Sequence, residues 1–422
     1  MDGPIWTKLG HAVKLTSEIR IDKQQLFLIA IVGWFAAGSL PFLALSEPLF
    51  DDYTGYLLSG EVSRTYSYLA FLLMLLALLS SRNLLQRSIN YAIRSLPVSL
   101  IILSGVLEGT AAIVLGFYVG AVYAALLLIC VLLCSSFWCM PERYRLSFYK
   151  LLLVLNVIYV SLAFAIYGAP QNRFVGGIHP NILSQASIAS VFSALMFLNG
   201  WKKLSMIFAS LLVAYLVDSR YAMVTVFIMS FGLLLLDSSV RAKVLSFFFL
   251  IAFTATFLFT NIFSEVFSLN DENRGISSGV SGRSENWEFF FPQLSQHPFF
   301  GYGFRNHDFV GAHNGFMQYV LENGLVISFV FFSALILILF ANIYTVWHSL
   351  SDRTFRAHEG RVVTVTLVAI IFAANLQPQL INFGDEFGPL TLVILMYVPA
   401  AYRSFGFRRR VNRQKLFIHL AC

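Results

Sequence analysis

The chain is 422 residues long, 58% hydrophobic and only 12% charged, with a net charge of +7. Soluble globular proteins carry roughly 25% charged residues, so this composition excludes a water-soluble domain and makes lipid the main solvent. The basic residues fall in short segments between apolar runs, where they read as positive loops on one side of a membrane and not as a nucleic-acid surface.

A helix needs about 20 apolar residues to cross about 30 Å of hydrocarbon. Such runs fall at approximately 25–45, 64–80, 97–113, 115–137, 150–168, 183–199, 204–218, 221–236, 244–262, 321–345, 361–380 and 387–403. The expectation is an all-α, polytopic membrane protein with about 12 transmembrane helices and one large outward loop between helices 9 and 10. The chain then divides into a cytoplasmic N-terminal segment (1–24), nine helices (25–262), the loop (263–320), three helices (321–403) and a basic cytoplasmic tail (404–422). The first 23 residues are polar and basic and the first apolar run is long, so no cleavable signal peptide is expected. Between the third and fourth spans only Glu108-Gly109 interrupts the apolar pattern.

Positive residues orient such a chain. One set of loops holds Lys8, Lys14, Arg20 and Lys23, then Arg82, Arg87 and Arg94, then Arg143, Arg145 and Lys150. It continues through Lys202, Lys203, Arg241 and Lys243 to Arg353, Arg356, Arg361 and the tail "RSFGFRRRVNRQK". These loops alternate with the others if the span count is even, which puts both termini in the cytoplasm. The tail reads as an anchor for anionic membrane lipids. Cys130 and Cys134 lie one helical turn apart, but no second pair or histidine partner follows, so no metal site is expected.

The outward loop of roughly 60 residues is too long to be a plain connector. Its second part, "RSENWEFFFPQLSQHPFFGYGF", spaces Trp287, Phe291 and Leu294 as on an amphipathic helix, interrupted by Pro292. A Gly-Tyr-Gly turn follows, and "AHNGFMQYVLENG" runs into the next membrane helix.

The sequence holds no nucleotide-binding loop, Asp-x-Asp motif, Ser-His-Asp order or His-Glu-x-x-His motif, so neither an ATP-driven pump nor a metal or other cofactor is indicated. What remains is a set of cations and one histidine on the outward side. Arg220, in "YLVDSRYAMVTVF", sits between two apolar runs with almost no loop, where an ionisable residue is functional by default. The bland alternative is an interfacial arginine, or one paired with Asp218 across a turn. Arg283, in "GRSENW", offers a guanidinium that binds phosphate bidentately and stays charged. His313 opens the helix at the end of the loop, where a neutral imidazole accepts a proton from a hydroxyl or merely caps. Arg305 and His307, in "FRNHD", and Asn314 and Glu322, on the following helix, are candidate substrate-binding groups. His297, before Pro298, reads as a turn former. A second outward loop, "NRFVGGIHPN", offers Arg173 and His179, the latter also placed to cap a helix. Gln377, Asn382 and Asp385 are weaker candidates for the same cavity.

"GRSENW…HPFFGYGF…AHNGFMQYVLENGL", preceded by "SRYA" at a membrane-helix start, resembles the O-antigen ligase and polymerase superfamily of polytopic membrane glycosyltransferases. The resemblance implies catalytic roles for Arg220, Arg283 and His313. It implies a polyprenyl-diphosphate-linked glycan as donor and a lipid A–core or lipid-linked glycan as acceptor. It also implies a bacterial inner membrane, with the outward loop in the periplasm. The two arginines would neutralise the diphosphate leaving group and His313 would deprotonate the acceptor hydroxyl, with inversion at the anomeric carbon and no need for ATP or a metal. Ligase and polymerase share this donor chemistry, and the sequence leaves both open. A secondary transporter also fits twelve spans, although no internal repeat supports it.

Overall fold

The computed structural model describes residues 22–39, 53–170, 174–176, 178–236, 244, 287–304, 312, 314–375 and 387–399. Helices dominate these residues: α1 (Lys23–Ala37), α2 (Tyr53–Ser80), α3 (Arg82–Arg94), α4 (Leu96–Val114), α5 (Tyr118–Cys139), α6 (Glu142–Tyr167) and α7 (Pro180–Phe197). They continue with α8 (Gly200–Leu216), α9 (Arg220–Leu236), α10 (Phe290–Gln296), α11 (Gly315–His348), α12 (Phe355–Ala374) and α13 (Phe387–Leu395). Val175 and Ile178 form one isolated bridge. Six helices are long and apolar enough to cross a membrane, or up to seven if the bent α2–α3 pair is one span. The expected ninth span, 244–262, lies almost wholly outside the described residues.

The helices sort by side-chain size. α7 alternates Ser184, Ser187, Ser190 and Ser193 with Ala186, Ala189 and Ala194, and every one of these is buried. Small residues let helices approach closely without a hydrophobic driving force, and α7 is accordingly touched by α6, α8, α9, α12 and α13. Two of its hydroxyls turn back on its own carbonyls, Ser184 on Pro180 at 2.6 Å and Ser187 on Leu183 at 3.0 Å, so these two need no outside partner. α8 is the opposite case. Only Ser210 and Ala214 are buried, while Trp201, Leu204 and Phe208 are exposed. Large apolar side chains facing outward on helices whose backbone bonds are internally satisfied suit a lipid surround.

Two arrangements differ from the sequence expectation. The chain after α2 does not form a plain loop: it bends by 103° into α3, whose Leu84, Ser88, Tyr91 and Ala92 face inward. In α10, Pro292 does not interrupt the helix. It lies in the first turn, where backbone N–H groups have no intrahelical partner anyway. The buried aromatic of α10 is Phe290, while Phe291 is 73% exposed. The turn between α4 and α5 lies at Leu115–Phe117 with Gly116 at φ +73°, so Glu108 sits inside α4, as it does in the expected span 97–113.

One ion pair clips α6 to α12. Arg145 Nε and Nη2 each donate to Glu359 at 2.9 Å, Tyr149 donates to the same carboxylate at 2.9 Å, and Arg145 Nη1 donates to the Met140 carbonyl at 2.6 Å. Both partners are buried. Removing one charge of such a pair strands the other, at a cost of about 3–5 kcal/mol. Glu359→Ala is therefore expected to lower the thermal midpoint in detergent well below that of the Arg145→Met/Glu359→Met double variant. Equal loss in both would show that the lone Arg145 is not the source of the cost.

Candidate functional site

The described part of the site gathers at one end of the bundle. The chain leaves α8 at Val217, turns through Asp218 at φ +47°, and starts α9 at Arg220. This is the turn that an Asp218–Arg220 approach requires. Arg220 Nε and Nη2 are shut off from solvent. Tyr221 donates to the Asn181 carbonyl at 3.1 Å, which ties the start of α9 to the start of α7. There His179 is the N-cap: its Nδ1 accepts from the Asn181 N–H at 3.1 Å, and its ring meets Phe174 edge-on.

The start of α11 is fixed more tightly. Asn314, 7% exposed, accepts from the N–H groups of Phe316 at 3.0 Å and Met317 at 3.2 Å. The capping group is thus Asn314, and α11 begins at Gly315, several residues before the expected position. Asn314 Nδ2 also donates to Asn375 Oδ1 at 3.4 Å, joining the start of α11 to the end of α12. On the other side of His313, Ala312 is held at both backbone groups. Its carbonyl accepts from Trp287 Nε1 at 2.9 Å, and its N–H donates to Gln318 Oε1 at 3.2 Å. Gln318 in turn donates to Glu322 at 2.9 Å. Of the chain neighbours of His313, Ala312 is therefore positioned by the Trp287 and Gln318 side chains, and Asn314 by its own cap on α11 and by Asn375. Arg173, Arg283, Arg305, His307 and His313, like Gln377, Asn382 and Asp385, lie outside the described residues.

Arg220 and Asn314 belong to one level. Gly232 of α9 packs on Val365 of α12. From Gly232 back to Arg220 the helix rises about 18 Å, and from Val365 on to Asn375 about 15 Å.

The Gly-Tyr-Gly turn has a role that its sequence does not disclose. α11 is broken at Gly324, with φ 68° and ψ −179°, and the segment Pro298–Gly303 fills the break. Tyr302 N–H donates to the Leu321 carbonyl at 2.9 Å and Gly303 N–H to Glu322 at 2.8 Å. In return Leu325 N–H donates to Pro298 at 2.8 Å and Val326 N–H to Phe299 at 3.2 Å. His297 shapes the approach: its carbonyl accepts from Gly301 N–H at 3.0 Å and its ring packs on Tyr302. The motif is a backbone clasp that satisfies four groups orphaned by the break and fixes Glu322, which is 4% exposed, at its edge.

Glu108 is the residue that sequence reasoning missed. It is 1% exposed inside α4, and Tyr319 of α11 donates to its Oε1. Its Oε2 is buried with no hydrogen-bond partner among the described residues. It also lies within electrostatic range of Glu322. The signal was present: a carboxyl inside an apolar run is costly and marks a site by default. Glu108→Gln keeps an acceptor for Tyr319 and is expected to leave stability nearly unchanged. Tyr319→Phe strands a buried carboxyl and is expected to cost about 1–3 kcal/mol, read as a fall in thermal midpoint. The reverse order would show that Glu108 needs its charge and not its acceptor.

Residues 204–332 match the family model described as O-antigen ligase. The match supports the O-antigen ligase superfamily. It runs from α8 into α11 and takes in Arg220, Arg283, His313, Asn314 and Glu322. No curated protein matches the chain. An O-antigen ligase-type segment and several long apolar helices together indicate a multi-pass membrane protein with a ligase- or polymerase-like function on lipid-linked glycans.

Proposed function

We propose that this protein is an O-antigen ligase-like glycosyltransferase of the bacterial inner membrane. It moves a glycan from a polyprenyl diphosphate to a lipid A–core acceptor at the periplasmic face, with both termini in the cytoplasm. The observation that carries this reading is Arg220 at the start of α9, with guanidinium Nε and Nη2 shut off from solvent. It lies inside the ligase-matched segment, at the level of the Asn314 cap that follows His313.

The chemistry follows from the residue types. The acceptor hydroxyl oxygen attacks the anomeric carbon as the bond from that carbon to the diphosphate breaks, which inverts the configuration. His313 takes the hydroxyl proton. Arg220 and Arg283 neutralise the charge that develops on the departing polyprenyl diphosphate, where fixed cations in a water-poor site are most effective. The glycosyl–phosphate bond supplies the driving force, so the transfer itself needs no ATP.

The runner-up is a polymerase whose acceptor is another lipid-linked glycan, with the same donor site. The transporter reading loses support at α11. Transporters leave such helix breaks open to ions or substrate, and here main-chain bonds from residues 298–303 close it.

Complementation of a strain lacking its own copy, with surface and lipid-linked glycans analysed together, tests the assignment. A ligase restores capped lipopolysaccharide, and Arg220→Ala and His313→Ala accumulate long polyprenyl-linked chains. Accumulation of single lipid-linked repeats instead means a polymerase. Well-expressed variants that behave as wild type would remove these residues from the site.

A further inference from the structure

A second charged cavity lies at the opposite end of the bundle. Beyond its break at Gly324, α11 runs on to His348 and rises about 36 Å, so this cavity is separate from the Arg220 site. Its volume is about 720 Å³, and it opens between α3 and the α11–α12 connection. Arg87 and Arg94 line one wall, Asp352 and Arg356 the other, and Arg145 with Glu359 the interior. Four guanidiniums face two carboxylates, an excess of two positive charges.

These charges are not equivalent. Arg145 and Glu359 are bonded to each other. Asp352 Oδ1 accepts from the Thr354 N–H at 2.8 Å, which holds this carboxyl below its usual range and keeps it an anion. Arg87, Arg94 and Arg356 have no hydrogen bond or ion pair among the described residues. Arg87 and Arg94 stand two turns apart on one face of α3, about 10 Å along the axis. The cavity is also lined by Pro141 and Ala357, at the starts of α6 and α12, so two helix N-termini add positive potential.

The flank of the same helix is apolar and uncovered. Ile93 of α3, next to Arg94, and Leu96 of α4 are 69% and 61% exposed. Free guanidiniums beside exposed aliphatic side chains, on a helix bent by 103° from its neighbour, match the depth at which a lipid headgroup joins its acyl chains. Guanidinium groups bind phosphoryl oxygens bidentately and remain charged.

The geometry points to a binding site for the phosphoryl headgroup of an anionic membrane lipid, held by Arg87, Arg94 and Arg356, with its acyl chains along Ile93 and Leu96. Inorganic phosphate shares the headgroup chemistry but has nothing for the apolar flank.

The test uses the full chain, delipidated in neutral detergent, and reads the thermal midpoint. Phosphatidylglycerol, phosphatidylcholine and inorganic phosphate are the probes. Two triple variants are compared: Arg87→Gln/Arg94→Gln/Arg356→Gln in the cleft, and the charge-matched control Arg82→Gln/Lys150→Gln/Lys202→Gln at exposed positions that do not line the cavity. Saturating phosphatidylglycerol is expected to raise the midpoint by about 5 °C over phosphatidylcholine. The cleft variant should lose that increment and the control variant should keep it. Equal protection by both lipids, an increment retained by the cleft variant, or an equal loss in both variants would overturn the site. The same saturable shift from inorganic phosphate alone would overturn the lipid assignment.

Discussion

Gly324→Ala is expected to lower the thermal midpoint in detergent by on the order of 10 °C and to abolish transfer activity. The backbone at Gly324 has φ 68° and ψ −179°, a region essentially reserved for glycine, where a side chain costs roughly 1–3 kcal/mol before any contact is counted. An added Cβ would also stand 2.4 Å from the carbonyl of Phe299 and from Phe300 N, both backbone atoms that cannot rotate away. Gly301 is the reciprocal half. Its φ is +65°, and a Cβ there would lie 2.5 Å from the Glu322 carbonyl. The clasp therefore tolerates a methyl on neither strand, and Gly301→Ala should match Gly324→Ala in direction and scale. Gly116 provides the control. Its φ is +73°, but nothing lies within 4 Å of the position a Cβ would take, so Gly116→Ala should cost only the backbone strain of about 1 kcal/mol. A Gly324→Ala protein as stable as Gly116→Ala would show that the clasp yields and that the break in α11 does not depend on it.

The contrast between these glycines also marks what the sequence can and cannot say. Apolar runs separated by basic loops are set by hydrocarbon thickness, so α4, α5, α6, α7, α11 and α12 are legible in the residue pattern alone. Arg220 is legible for a similar local reason, since a lone cation between two apolar runs has few places to go. The clasp is not legible. Its bonds join residues 298–303 to 321–326, and nothing in either stretch names the other, although a Gly-rich turn and a Gly-terminated helix are both visible. α3 escapes notice because its polar and apolar residues look like loop composition until its inward face, from Leu84 to Ala92, is paired with the rest of the bundle. Glu108 reads as punctuation in an apolar run, when its partner Tyr319 is 211 residues away.

Under the proposed mechanism Arg220→Ala and His313→Ala should both lose activity while remaining folded, and they should lose it for different reasons. Removing a group that stabilises charge on the leaving diphosphate typically slows the step by about 10²–10³-fold, and removing a general base by about 10²–10⁴-fold. Arg220→Lys keeps the charge but not the planar fork and should fall between wild type and Arg220→Ala. The two roles separate with the donor. A glycan on a phosphate leaving group of lower basicity carries its departing charge more easily. It should therefore recover much of the Arg220→Ala loss and little of the His313→Ala loss, because the acceptor proton still lacks a base. Steady-state rates for purified protein with the two donors decide the matter. If both variants recover equally, Arg220 and His313 do not divide leaving-group and proton-acceptor roles. If His313→Ala alone recovers, the roles are reversed, and His313 acts on the departing diphosphate.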